Sequence, residues 1–396
     1  MISKAITPEN LKPGRGTTRR DFQTGRVLAL SVSHFIHDVY SGFLAPLLPL
    51  LIEKLSMTLT QAGFLSTVMQ LPALANPYIG LLADRVSVRY FIILAPSLTA
   101  VPMSLIGLAP NYGVLLLLLL VTGISVSIFH VPAPVMVYKL SGSKAGRGMS
   151  LFMTGGELAR TLGPLAAVGA VSLLGLQGFY PIMVFGLVAS VWLFLGFRDV
   201  PITREGQRPA SVRKTWREMR PILMPLTGIL FGRGLMHASL ATFLPTFIKA
   251  ETGNLWLAGI ALTLFEATGV GGILAAGSLS DYLGRRRVLL YSLISAPVFL
   301  FFFISFAGWP RYIALAFTGF TLLSTSPVML ALVQEHAKSS PSAANGLYMM
   351  VSFMARSAMV VLVGLISDTI GLRAAYLVSA GLGLTAIPFI LKLPRK

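Results

Sequence analysis

Residues 114–138 read VLLLLLLVTGISVSIFHVPAPVMVY, a stretch with no Asp, Glu, Lys or Arg. A run of 18 or more apolar residues of this kind is the mark of a helix that crosses a bilayer. Residues 27–52, VLALSVSHFIHDVYSGFLAPLLPLLI, repeat the signal, with a single acid embedded in them. The whole chain of 396 residues is 55% hydrophobic and 12% charged, about half the charge of a soluble domain. A soluble chain of this length would divide into two or three domains. Here the apolar runs tile the sequence instead. They give twelve spans, near 27–52, 62–84, 89–108, 113–138, 148–174, 178–197, 221–249, 255–281, 287–307, 311–336, 341–369 and 373–391. The expected fold class is an all-α polytopic membrane protein. The absence of cysteine excludes disulfides, thiolate metal sites and cysteine nucleophiles.

The net charge of +18 invites a nucleic-acid reading until its location is considered. Lys4, Lys12, Arg15, Arg19, Arg20 and Arg26 precede the first span. Arg198, Arg204, Arg208, Arg213, Lys214, Arg217 and Arg220 fall in the 198–220 linker. Arg85, Arg89, Lys139, Lys144, Arg147, Arg285, Arg286, Arg287, Lys338 and the C-terminal Lys392, Arg395 and Lys396 belong to the same side, while the opposite loops hold Lys54, Lys249, Arg311 and Arg373. Positive residues stay cytoplasmic, so the termini and the linker are expected in the cytoplasm. The basicity is a topology signal, with a weak attraction to anionic lipid headgroups and no nucleic-acid partner. The 26 residues before the first span are polar and contain Gly and Pro. They lack the short apolar region and small-residue cleavage site of a signal peptide. The expected organisation is a tail over 1–26, a six-helix half over 27–197, the linker over 198–220 and a second six-helix half over 221–396.

The halves repeat at an offset of about 197 residues. Gly80-Leu-Leu-Ala-Asp84-Arg85 answers Gly277-Ser-Leu-Ser-Asp281, Pro49 answers Pro245, and Ala159-Arg160-Thr161 answers Ala355-Arg356-Ser357. In spans four and ten Ala133-Pro134-Val135-Met136 answers Ser326-Pro327-Val328-Met329 at an offset of 193. Four matches in one order indicate a duplicated six-helix unit. Two parallel halves with a site at their interface describe one class of secondary transporter.

Ionisable residues inside spans carry the most functional information. Span one holds His34, His37 and Asp38, span four His130, span five Glu157 and Arg160, span seven Arg233 and His237, span eight Glu266, and span eleven Arg356. Spans three, six, nine and twelve hold none. A charge facing lipid costs roughly 3 kcal/mol at a helix centre even on the lenient scale, so the charge-free spans are expected outside and the others around a polar interior. His34 and Asp38 are four apart and share a helix face, where an acid beside an imidazole can take and release a proton. Asp38, His34, Glu157 and Glu266 are the candidate proton-coupling groups. His37, His130, Arg160, Arg233, His237 and Arg356 are the candidate substrate contacts, Arg356 foremost because a guanidinium suits a carboxylate or phosphonate. The bland readings pair Asp38 with Arg160, Glu157 with Arg160, and Arg233 with Glu266, and bond His130 to a carbonyl freed by Pro132 or Pro134. Trp192, Trp216, Trp256 and Trp309 read as interface anchors.

The Gly80–Arg89 and Gly277–Arg287 loops resemble the Gly-x-x-x-Asp-Arg and Asp-x-x-Gly-Arg-Arg signature of the major facilitator superfamily. The second copy (Asp281, Gly284, Arg285, Arg286) lies close to that pattern; the first departs from it at Val88. Ser33-His34-Phe-Ile-His37-Asp38, Pro46-Leu-Leu-Pro49, Phe129-His130-Val-Pro, Gly155-Gly156, Leu162-Gly163-Pro164-Leu165 and Gln334-Glu335-His336 resemble the fosmidomycin resistance branch, with His37 where that branch usually has Asn. The resemblance implies two pseudo-symmetric six-helix bundles in a bacterial-type inner membrane. It implies Asp84, Arg85, Asp281 and Arg285 as a cytoplasmic gate, and proton-driven export of a small amphipathic or anionic compound. A loose form of the antiporter Gly-Pro pattern, Ser150, Ala159, Gly163-Pro164 and Gly169, lends weak support to antiport.

No Gly-rich phosphate loop with Lys-Ser/Thr is present, so an ATP-driven pump or other enzyme is not expected. The proton gradient is the expected energy source, with no cofactor and a monomeric assembly. Proton-coupled uptake of an organic acid or sugar is the first alternative. His34, His37 and Asp38 form half a metal site on one helix, which keeps a metal or metal-chelate transporter as a lesser one. A sensor or scaffold would have no need of paired gate motifs.

Overall fold

A computed structural model describes residues 22–76, 78–79, 89–198, 212–337 and 341–394, and among them every regular element is helical. Ten helical segments are long and apolar enough to cross a membrane: Thr24–Leu55, Arg89–Leu108, Tyr112–His130, Arg147–Leu174, Tyr180–Phe197, Leu255–Leu283, Arg285–Ser305, Pro310–His336, Ala344–Ile370 and Leu372–Leu391. The helix Leu59–Gln70, continued by the 3-10 turn Leu71–Ala75, is the second span. The helices Val212–Ala238 and Leu244–Thr252 make the seventh. The described residues thus supply twelve spans, numbered here in chain order. The α-helix of span two has 12 residues, and span seven carries Arg213, Lys214, Arg217, Arg220, Arg233 and His237 among its apolar side chains.

Local chemistry sets the span ends. Thr58 and Gln61 open span two with reciprocal side-chain-to-backbone hydrogen bonds of 3.0 and 3.1 Å. Asn111 and Asn254 cap spans four and eight by accepting from Val114 and Leu257. Prolines set the internal breaks. Pro46 has no N–H for the carbonyl of Gly42 and its ring crowds that carbonyl; span one accordingly stops at Ser41 and resumes at Leu44. In span seven a π-turn, Ser239–Phe243, precedes Pro245, so the repeat extends to its irregularities. Span four halts at His130, and Pro132 and Pro134 begin a separate short helix, Ala133–Ser141.

The charge-free spans lie outside. Leu94 and Leu98 of span three, Phe185, Val188 and Val191 of span six, Val298 and Phe301 of span nine, and Leu377 and Leu384 of span twelve are exposed apolar side chains. The four tryptophans are exposed as well, as interface anchors require. Span two packs on span eleven, five on eight, and one on seven to join the halves. Leu47, Ala62 and Leu65 share one buried apolar cluster with Leu235, Phe243, Met359 and Val363.

This seam lies at the end remote from the linker. A Cβ at Gly63 would sit 2.7 Å from the carbonyl oxygen of Val360, and one at Gly364 would strike that of Leu59; only glycine admits the two backbones so close. Polar bonds reinforce the closure. The Asp368 carboxylate accepts from the backbone N–H of Leu59 and Thr60 at 2.7 and 2.8 Å and from the Thr60 hydroxyl at 2.6 Å. It therefore caps the positive end of span two from the other half. Lys249 pairs with Glu53 across the same divide. Toward the linker the halves part: span five touches span eight at Val168 and Gly259, whereas Met153 and Leu274 are exposed.

Asp368→Ala should weaken this closure by about 1 kcal/mol, the usual worth of a helix cap. The chain contains no cysteine, so a single one at the exposed Met153, where the halves part, reports access through the closed end. An impermeant maleimide added on the side opposite the linker should label it several-fold faster in the Asp368→Ala background. Equal labelling rates would remove Asp368 from the closure.

Candidate functional site

Four of the singled-out residues form one cluster in the first half. Asp38 lies one turn beyond His34 on span one, and the end of span four brings His130 to the same carboxylate. His34 Nε2 is 3.2 Å from Asp38 Oδ2, His130 Nε2 is 3.3 Å from Oδ1, and His37 Nδ1 is 3.0 Å from Oδ1. The Nε2 atoms of His34 and His130 are 3.3 Å apart. Packing fixes the rings: His34 stacks on Phe152 at 4.1 Å between centroids and His37 on Phe129 at 4.5 Å.

The outer ring nitrogens are committed. His34 Nδ1 faces the carbonyl of Phe152 at 2.8 Å, and His130 Nδ1 faces that of Val126 at 3.0 Å. A carbonyl only accepts, so both Nδ1 atoms carry hydrogen. The His130 partner lies within its own helix; it is not a carbonyl freed by Pro132 or Pro134. His37 Nε2 meets Thr99 at 3.0 Å, behind which Thr99 donates to Ser125 and Ser125 to the Ala95 carbonyl. Asp38 therefore pairs with imidazoles and not with Arg160.

A second group lines the cleft between the halves. Arg160 is ion-paired to Glu157 within span five, as their spacing of three allows, yet its side chain stays 51% exposed. The charges of Glu266 and Asp38 also act on Arg160. Glu266 and Arg160 in turn act on Arg356, so spans five, eight and eleven bring these residues together. Neither Glu266 nor Arg356 has a direct hydrogen bond or ion pair among the described residues; Arg356 lies over the ring of Phe353 at 5.9 Å. Arg233 is buried, its Nη2 reaching only the carbonyl of Leu322 at 3.4 Å, and its Nε has no partner. The expected Arg233–Glu266 pair is not formed, because Arg233 points into the second half toward span ten. His237, on the same span, feels Arg356, Arg233 and Arg160. Two guanidinium groups, Arg160 and Arg356, thus share this cleft with the carboxylates of Glu157 and Glu266, and Arg233 lies buried behind them.

At the linker end Arg285 bridges Asp281 at 2.5 Å and Glu335 at 3.0 Å, tying spans eight, nine and ten within one half. Asp84 and Arg85 lie outside the described residues. The far-end contacts of Asp368, Glu53 and Lys249 are the functional residues that sequence reading missed. Their one signal was an acid or base beside a span end, too common a feature to select them. Glu251 was likewise missed; it holds Arg311 at 2.6 Å and Arg373 at 3.1 Å.

The Major Facilitator Superfamily model matches residues 30–254 and 226–396. The chain belongs to the major facilitator superfamily. Among superfamily relatives, the fosmidomycin resistance protein of Escherichia coli K12 is 24% identical over 93% of this chain and 92% of its own. The multidrug resistance protein MdtG of Citrobacter koseri is 27% identical over 67% and 69%. Superfamily structures share the fold at low identity. The nucleoside transporter NupG superposes with a TM-score of 0.73 at 15% identity, over 94% of this chain and 100% of that one. A bacterial homologue of the human lysosomal transporter Spinster, inward-facing and unoccupied, gives 0.71 at 15%, over 96% and 95%. This chain is thus a multi-span membrane transporter of small molecules and not an enzyme, and its fold is the two-bundle major facilitator fold.

Proposed function

We propose that this transporter exports a small amphipathic compound bearing an anionic group, of the phosphonate antibiotic type, in exchange for protons. The observation that supports the proposal is the cleft between the halves, where the charges of Glu266, Arg356 and Arg160 act on one another and neither Glu266 nor Arg356 has a direct hydrogen bond or ion pair among the described residues. Arg356, with Arg160, takes the anionic end of the cargo through charge-assisted bonds. A hydroxyl or amide donor of the cargo takes the Glu266 carboxylate. A proton on Glu266 removes the charge from that acceptor and weakens the bond, so proton and cargo compete, which is the condition for exchange. Glu157, whose Oε2 has no partner, is the second acid able to take part. The basic tail and linker support a cytoplasmic location for the termini and for the open end of the cleft, where cargo for export is collected. The names of the relatives, fosmidomycin resistance and multidrug resistance proteins, favour export.

The action of the Glu266 charge on both Arg160 and Arg356 also supports the opposite coupling. If cargo touches only Arg160 and Arg356, a proton on Glu266 frees both cations and strengthens anion binding, and proton and cargo then travel together. The sign is measurable. Adding fosmidomycin to the purified protein in weakly buffered detergent, with a pH dye, should release protons for exchange. Proton uptake would establish symport in its place. A strain expressing the chain should show raised resistance to fosmidomycin at two external pH values, whereas sensitisation would point to uptake.

A further inference from the structure

The cluster around Asp38 has a feature that the cleft chemistry does not use. His34 and His130 both spend their Nδ1 hydrogen on a backbone carbonyl, at 2.8 and 3.0 Å. Each neutral ring therefore turns an Nε2 lone pair inward. The two lone pairs and the Asp38 carboxylate converge: His34 Nε2 lies 3.2 Å from Oδ2, His130 Nε2 3.3 Å from Oδ1, and the two Nε2 atoms 3.3 Å from each other. Three acceptors converging in a half-buried site need a positive charge between them.

The edge lengths decide which one. A charge-assisted N–H···O bond runs at about 2.7–2.9 Å, shorter than every edge here. A tetrahedral metal with ligand bonds of about 2.0–2.1 Å separates its ligands by about 3.3 Å. The second shell agrees: metal-ligating histidines donate their other ring N–H to a carbonyl or carboxylate, which fixes tautomer and orientation. Two imidazoles and one carboxylate suit Zn2+ and its first-row neighbours and not Mg2+ or Ca2+. The cluster also has a way in. His34 and Asp38 are nearly closed off, with side chains 5% and 14% exposed, while His130 is 37% exposed. A fourth coordination position is thereby left on the side of His130 for water or an anionic group.

We propose that His34 Nε2, Asp38 and His130 Nε2 form a three-ligand site for a Zn2+-class divalent cation, clamping span one to the end of span four, with an open fourth position. Span one supplies half the site, as its sequence allowed; the break at Pro132 and Pro134 places the missing ligand. His37 flanks the far side of the carboxylate, its Nδ1 3.0 Å from Oδ1 and its Nε2 against Thr99.

The test uses the tag-free full chain in detergent, stripped with a chelator, titrated calorimetrically with Zn2+ and spectroscopically with Co2+. One equivalent of each should bind, Co2+ with the intense visible bands of tetrahedral coordination. His130→Ala should weaken binding about 100-fold or more, beyond the 10- to 100-fold that second-shell changes cost. Asp38→Asn, which keeps the shape and removes the charge, should do the same, and His336→Ala at the distant end of span ten should not. Gel filtration and thermal unfolding confirm that each variant is folded. No saturable binding, or binding that survives both His130→Ala and Asp38→Asn, overturns the site. The result is independent of proton exchange at Glu266, because binding is read without transport.

Discussion

Glu266→Gln should abolish the response of transport to a pH gradient while leaving the protein folded and able to exchange cargo for cargo. Glu266 lies on span eight at the cleft, partly buried, with Arg160 and Arg356 as its charged neighbours and no direct partner. A carboxyl so placed exchanges a proton with cavity water as access alternates, and its glutamine counterpart cannot. One proton moved down a one-unit gradient supplies about 1.4 kcal/mol, enough for about tenfold accumulation of a neutral cargo. In proteoliposomes with an imposed pH jump and no membrane potential, the variant should show no accumulation, while counterflow of labelled cargo persists. Accumulation equal to the native protein would remove Glu266 from coupling and leave Glu157 as the acid to test.

The second large effect belongs to Arg356. Residue Arg356 is exposed, and its guanidinium lies over the ring of Phe353. Hydrogen bonds to a charged group contribute about 1.5–3 kcal/mol, so Arg356→Ala should weaken an anionic cargo by roughly 10- to 100-fold. A neutral analogue of the same size should lose little. Arg356→Lys should fall between, since lysine keeps the charge and loses the planar fork. Binding of the two compounds is read by equilibrium dialysis on purified protein. A uniform loss for both would mark Arg356 as a structural residue, and no loss for either would exclude it from the site. Together the two variants separate coupling from recognition: the first alters the gradient dependence, the second the affinity.

Much of the fold was legible because a bilayer imposes a coarse rule. Every span needs about 20 apolar residues, and every mid-span charge needs a polar place to go. That rule located the twelve spans, and it put three, six, nine and twelve on the outside, where Phe185, Val191 and Phe301 meet the surroundings. The duplication was legible for a similar reason, since a proline such as Pro46 or Pro245 removes a donor and disturbs the helix before it wherever it occurs.

Pairing was less legible. Spacing along one helix indicated Glu157 with Arg160, and the two are paired. It could not choose between Arg160 and an imidazole for Asp38, nor direct Arg233 away from Glu266, because those choices depend on how neighbouring helices rotate about their axes. His130 lies 92 residues from Asp38 in the chain, and no periodicity connects them.

The amino-acid sequence by itself determined the number of spans, their two-fold repetition, the side on which the bases collect and the set of embedded charges. All of these follow from the local energetics of chain segments in lipid. Only the tertiary structure decided that His34, Asp38 and His130 share one point, that Glu266 and Arg356 face one cleft, and that Asp368 closes the end remote from the linker. These are contacts between distant segments, set by how glycine-lined helices pack and where prolines bend them, and hydropathy carries no record of either.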